Sequence, residues 1–275
     1  MKLRNYLFIA ASVNFSQAVF ADASPWMASA GEFDLGISQV EQSADDFYQA
    51  DQKVELDSEL SLSTTSLSLK YGISDEIGLD VSVGYASSDF GDAEDRSGIS
   101  DTKIGLTWQF INEFVSINNL PSTAIRFGAI IDGDYETGQI NAIGDGGNGY
   151  EVSLVTGKSL VPYLALSAEV GYRYRDNDIP SENFYNLNAY ITPLKGFTTY
   201  LSYRVDNSDD GLQIGGPGFS PDRFPELEED KEYVLIGAQY AFTQRASATL
   251  TYAEVLDGRN TAVSEILALG FNYKI

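Results

Sequence analysis

The 275-residue sequence contains no cysteine and no histidine. Without cysteine there are no disulfides to staple the chain, and no thiol to serve as nucleophile or metal ligand. Without histidine the commonest general base and the commonest metal ligand are both missing, which excludes Ser-His hydrolytic couples and histidine-ligated zinc. Basic residues are scarce: 17 stand against 40 acids, for a net charge of −23 at pH 7. A surface of that sign repels phosphates, so no nucleic-acid partner is expected. Long apolar runs are lacking too. Beyond the first 21 residues nothing approaches the ~20 apolar residues of a membrane-spanning helix.

Aromatic residues are plentiful. With 17 Tyr, 15 Phe and 43% hydrophobic residues, the chain can build a folded structure despite its charge. Lys2 and Arg4 precede an apolar stretch from Tyr6 to Val13, and Val19 and Ala21 occupy the positions of a small-residue cleavage site. Residues 1–21 therefore read as a secretory signal peptide, which leaves 22–275 as the mature domain.

From Gly31 onward the dominant signal is alternation with period two, the mark of strands whose faces meet different surroundings. Twelve such segments are expected, at 31–40, 60–73, 77–87, 102–111, 123–133, 150–160, 163–175, 183–192, 197–206, 233–242, 245–255 and 262–275. Most have the length that a tilted strand needs to cross a bilayer, and an even count suits a single-chain bacterial outer-membrane barrel. Short turns at Ser74–Glu76, Val161–Pro162, Pro193–Gly196 and Thr243–Gln244 alternate with longer loops at 41–58, 88–101, 132–151, 176–183, 206–232 and 254–261. Most of the acids fall in those longer loops. The fold class predicted is all-β: a transmembrane, antiparallel, up-and-down barrel with one rim of short turns and one of acidic loops.

The apolar parity is assigned to lipid. It gives Ile77, Leu79, Val81, Val83 and Tyr85 on the third segment, and Leu267, Leu269, Phe271, Tyr273 and Ile275 on the last. A closing strand of this kind pairs with the first, so that no backbone edge is left in hydrocarbon. The opposite parity is expected to carry Gly, Ser, Thr and Asn together with Asp34, Lys70, Asp80, Lys103, Arg126, Glu169, Arg173, Arg175 and Arg204. Of these, Lys103, Arg126, Glu169, Arg173, Arg175, Arg204 and Asp80 are the candidate lumen-lining residues. Two readings of this set stand side by side: an acid–base lattice that fills a narrow barrel, or a hydrated lumen whose excess of arginine favours anionic or polar solutes. In the second segment the parity changes between Leu62 and Leu67, as a β-bulge would make it.

Several stretches together carry a family resemblance. YGISDEIGLDVSVGY (Tyr71–Tyr85), SDTKIGLTWQF (Ser100–Phe110), GDYETGQINAIGDGGNGYEVSLVTGKSL (Gly133–Leu160) and YLALSAEVGYRYRDNDIP (Tyr163–Pro180) resemble the barrel family labelled "MetA-pathway of phenol degradation". The resemblance spans roughly 70–275 and implies an outer-membrane protein that helps small, often hydrophobic compounds across. No substrate residue is carried over from it. The terminal Ile275 departs from the usual Phe or Trp, while Leu269, Phe271 and Tyr273 retain the alternation read by the barrel-assembly machinery.

Other chemistry is weaker. Asp45-Asp46, Asp209-Asp210 and Glu228-Glu229-Asp230 are neighbouring acids of the kind that loops expose to water, so no enzyme and no cofactor are expected. Asp132, Asp134 and Glu136 have a spacing that lets carboxylates converge on a divalent cation. Loose bridging of such cations to lipopolysaccharide is a second use for the acidic loops. Gly144–Gly149 reads as a tight turn, and Gly211–Asp230, rich in Gly and Pro with Phe219 and Phe224, reads as a folded cap, an inward plug or a surface loop. The functional expectation is passive passage of small solutes through the outer membrane. The alternatives are a non-conducting barrel that displays its loops, and a periplasmic β-sandwich.

Overall fold

A strand alternates in sequence where one side meets lipid and the other meets a polar interior, and the architecture follows from that rule. The computed structural model describes residues 23–116 and 118–275. The expected leader, 1–21, lies outside them. The strands are β1 (Phe33–Gln49), β2 (Gln52–Gly72), β3 (Ile77–Phe90), β4 (Arg96–Ile99), β5 (Thr102–Ile111), β6 (Ser122–Ile131), β7 (Gly149–Val161), β8 (Leu164–Arg175), β9 (Glu182–Leu194), β10 (Phe197–Ser208), β11 (Asp230–Ala241), β12 (Ala246–Arg259) and β13 (Glu265–Lys274). Every pairing between neighbouring strands is antiparallel, and the sheet closes because β1 bonds β2 on one side and β13 on the other, with Leu35 opposite both Leu69 and Tyr273. The outer part of β3 pairs with β4 and the inner part with β5, so these two are halves of one strand interrupted at Ser100 and Asp101. The barrel therefore has the expected twelve strands.

The two faces separate cleanly on β13. Leu267, Leu269, Phe271 and Tyr273 are exposed, while Ile266, Ala268 and Asn272 are buried. The same division puts Leu106, Phe127, Leu154, Leu166, Leu187, Leu201, Ile236 and Leu250 on the outer surface. Burying one such side chain is worth about 1.5–3 kcal/mol relative to water, so an outer face of this composition is stable only against hydrocarbon. Aromatic pairs mark the edges of the apolar band. Phe33 stacks on Tyr71, and Trp108 with Phe110 and Tyr240 with Phe242 form close pairs, all at the short-turn rim; Tyr150 stacks on Tyr174 towards the other. Amphipathic rings favour that depth. At the short-turn rim Gly196 (φ +80°) takes the left-handed position that closes the β9–β10 hairpin.

Three expectations are corrected. Residues 41–58 are not a loop: β1 and β2 continue as a hairpin, 17 and 21 residues long, that turns at Ala50 and Asp51. A crossing needs only ~9–11 residues, so the rest projects beyond the bilayer, where both faces are wetted and the apolar alternation fades. Secondly, β4 lies within the expected loop 88–101. Thirdly, there is no bulge between Leu62 and Leu67. The β2 register is unbroken there, and the shift lies at Ala44/Asp46. Leu60 and Leu62 share the parity of Lys70 and face the interior, which is why their phase differs from that of Leu67.

If lipid is the solvent of the outer face, a charge there is costly in a depth-dependent way. Leu201→Arg, at the middle of β10, is expected to destabilise the folded barrel by about 2–4 kcal/mol, and Phe242→Arg, at the rim, by about 0–1 kcal/mol. Urea titrations in phospholipid vesicles measure both.

Candidate functional site

The interior is built in three levels. At the outer level the loops fold inward. The backbone N–H of Gln139, in the β6–β7 connection, donates to Pro221 O at 3.0 Å. The Asn260 amide, beside the β12–β13 turn, donates to Glu228 O at 2.8 Å and to Gln213 Oε1 at 3.1 Å. Phe224 packs edge-on against Phe47 with ring centroids 6.3 Å apart, and Leu227 is buried. The stretch Gly211–Asp230 is thus a folded cap, with a 3₁₀ turn at Pro221–Glu226. Gly146 (φ +74°) makes the tight turn expected of Gly144–Gly149, and its N–H donates to Tyr135 Oη at 3.1 Å. Under this cap lies a cavity of about 410 Å³. The carboxyl of Asp145, on its rim, is nearly half exposed and pairs with Arg175 at 3.4 Å.

At the middle level the charged parity forms a lattice of ion pairs. Arg126, 4% exposed, donates to Asp80 Oδ2 at 2.9 Å and to Glu151. Arg173 bonds Glu151 Oε2 at 3.3 Å and Glu182 Oε2 at 2.5 Å. Arg204 bonds Asp206 Oδ1 at 3.0 Å, and the Phe184 ring lies 5.4 Å from the Arg173 guanidinium and 5.1 Å from that of Arg204. Arg175 reaches Asp101 at 2.5 Å and Asp145 at 3.4 Å. Glu169 accepts from Ala23 N at 3.2 Å, and Lys103 projects into the cavity.

The seven candidate residues share the inward parity of their strands, but the apparent excess of interior cations is corrected. Glu151, Glu182, Asp206 and Asp101 fall within the spans expected as outer loops. Each instead follows the inward parity of its strand or turns in to meet an arginine. Cross-strand register was the signal that could have found one of them, since Glu151 lies opposite Arg173. A second correction concerns the lining itself, which is not polar throughout. Val40, Leu235, Ala253, Val255, Ile266 and Ala268 form an apolar sector on β1, β11, β12 and β13.

At the inner level the chain ahead of β1 enters the barrel. Trp26, 7% exposed, donates from Nε1 to Glu113 Oε1 at 3.0 Å and packs edge-on against Tyr190. Gln109 donates to Pro25 O at 2.6 Å. Gly157 makes room for this segment, since a β-carbon there would lie 2.6 Å from Pro25 Cγ. On the opposite wall small residues recur: Ser38 and Thr249 both face Gly270, and Asn272 faces Gly36. Ser38 Oγ, Thr249 Oγ1 and Asn272 Nδ2 are buried without a protein partner among the described residues, as is the side-chain amide of Asn186. As for the acidic triplet, Glu136 is bound to Arg96 at 2.6 Å. Among the described residues no group of three or more acidic side chains is placed to hold a metal.

No protein-family model and no curated protein matches the chain. Solved structures do. An outer membrane channel from Pseudomonas putida F1 superposes with a TM-score of 0.74 at 16% identity, covering 92% of this chain and 99% of that one. The NanC porin gives 0.57 at 10% identity, over 88% and 100%. The translocator domain of autotransporter NalP from Neisseria meningitidis gives 0.55 at 9%, over 90% and 89%. At these identities the likeness establishes the fold, that of outer-membrane barrels.

Arg126 is the keystone of the lattice, and removing it takes the guanidinium from Asp80 and leaves Glu151 with Arg173 alone. Arg126→Ala is expected to cost about 3–5 kcal/mol in urea unfolding from lipid vesicles. The double change Arg126→Met with Glu151→Gln, which removes charge on both sides, is expected to recover part of that loss.

Proposed function

We propose that the protein is an outer-membrane channel for the passive passage of small solutes, hydrophobic or aromatic ones among them. The observation that carries this reading is the cavity of about 410 Å³ beneath the outer loops, which the barrel wall lines with apolar side chains on one side and charged ones on the other, because concave sites of this size are the ones that take small molecules.

The outer-membrane channel of Pseudomonas putida, with its like fold over nearly the whole chain, supports the reading. The resemblance to the phenol-degradation barrel family supports small hydrophobic cargo, as does the apolar sector of the lining. In the same account residues 1–21 export the chain to a Gram-negative envelope, the alternating C-terminal strand is read by the assembly machinery, and the acidic loops face outwards, where divalent cations bridge them to lipopolysaccharide. The lumen-lining role falls to Lys103, Arg126, Glu169, Arg173, Arg175, Arg204 and Asp80. The rival reading, a non-conducting barrel that displays its loops, draws on the capped mouth and the Trp26 segment.

Planar-bilayer recording decides between the two. The purified protein is expected to show discrete channel events, and Trp26→Ala to enlarge the unit conductance by widening the inner end. Silence from both proteins, each shown to be folded by heat-modifiable gel mobility, would leave only the display reading.

A further inference from the structure

We propose that the cavity beneath the outer loops binds a small monoanion with an apolar body, a carboxylate on an aromatic or short aliphatic frame, and that Lys103 takes its head group. The inference rests on the channel reading and adds the class of solute that the vestibule retains. At about 410 Å³ the cavity falls within the size range of small-molecule sites. Its two sides differ in kind. Phe47, Leu60, Leu62, Val255 and Ile266 form an apolar side drawn from β1, β2, β12 and β13, and across the barrel stand Lys103, Arg173 and Arg204 from β5, β8 and β10.

The charged groups are not equivalent. Arg173 is held by Glu151 and Glu182, Arg204 by Asp206, Lys231 by Glu229 at 2.8 Å, and Asp145 by Arg175. Lys103 lines the same cavity and makes no ion pair or hydrogen bond among the described residues. Its ammonium lies within the field of three guanidiniums, those of Arg126, Arg173 and Arg204. The acid that offsets them, Glu151, is already bound to Arg126 and Arg173. An ammonium enclosed in this way gains most from one carboxylate, because charge-assisted bonds are the strong ones.

Valence is limited from two directions. The acidic chain, net −23, repels polyanions in the outer loops, but that field decays over about 8 Å at physiological salt and does not cancel a cation enclosed by the wall. A second negative charge on the solute would meet either the apolar side or the carboxylates of Glu182 and Asp206. A neutral solute leaves the ammonium without a partner. A cation is repelled by it.

Equilibrium dialysis of the folded protein in detergent micelles against labelled benzoate, benzamide and phthalate tests the site, with protein-free micelles as the blank. The wild type is expected to hold benzoate about tenfold more tightly than benzamide or phthalate. Lys103→Arg should keep that preference and Lys103→Met should abolish it, both with unaltered heat-modifiable mobility. Leu62→Gln should weaken benzoate binding without removing the preference over benzamide. Equal retention of benzoate and benzamide, or a preference that survives in Lys103→Met, overturns the inference whatever the bilayer currents show. Binding through Lys103 in a protein that passes no current would uphold the site and remove the channel reading instead.

Discussion

Hydrocarbon offers no hydrogen bonds. That constraint sets the architecture, because a chain of strands can lie in lipid only if every backbone N–H and C=O finds a neighbouring strand. The pairing of β1 with β13 completes the ring, and the exposed Leu267, Leu269 and Phe271 on the closing strand show which side of it the lipid occupies. A soluble sandwich would hide that face against a second sheet. Here the strands of the described residues form one closed sheet, and the buried parity points to the middle of it.

Once the outside is committed to lipid, polar and charged residues have only the interior to go to. A low-dielectric wall makes an unpaired charge expensive and a paired one tolerable, which explains why Arg126, Arg173, Arg175 and Arg204 each meet carboxylates. The lattice runs along β3 and β5–β10. The complementary wall, from β11 round to β1, carries small and apolar side chains. This asymmetry divides the lumen into a charged side and an apolar side, and it places an apolar surface opposite a cationic one at the level of the cavity. The proposed binding site is a consequence of that division.

The sequence was legible wherever two solvents met across one strand. All twelve crossings, their antiparallel order, the short turns and the inward parity of Arg126 and Arg173 could be read from alternation and turn chemistry. Legibility failed where that contrast disappears. The upper β1–β2 hairpin has water on its outside, so its polar residues resemble a loop, and Leu60 and Leu62 pointed inwards against the expectation of a polar lining. Glu151, Glu182 and Asp206 stand at strand ends, where composition alone cannot separate a solvated acid from one turned towards an arginine on the next strand. Residues 23–30 have no periodicity at all, and the place of Pro25 and Trp26 inside the barrel depends on contacts from Gln109, Glu113 and Gly157, far away in sequence.

The central claim is that lipid is the solvent of the outer face, and refolding tests it most directly. Protein unfolded in urea is diluted into buffer alone or into buffer with phospholipid vesicles, and folding is followed by circular dichroism and by gel mobility with and without heating. The account predicts β structure with a heat-modifiable band only when vesicles are present, and aggregation without them. A monomeric, β-rich, soluble protein in buffer alone would contradict it.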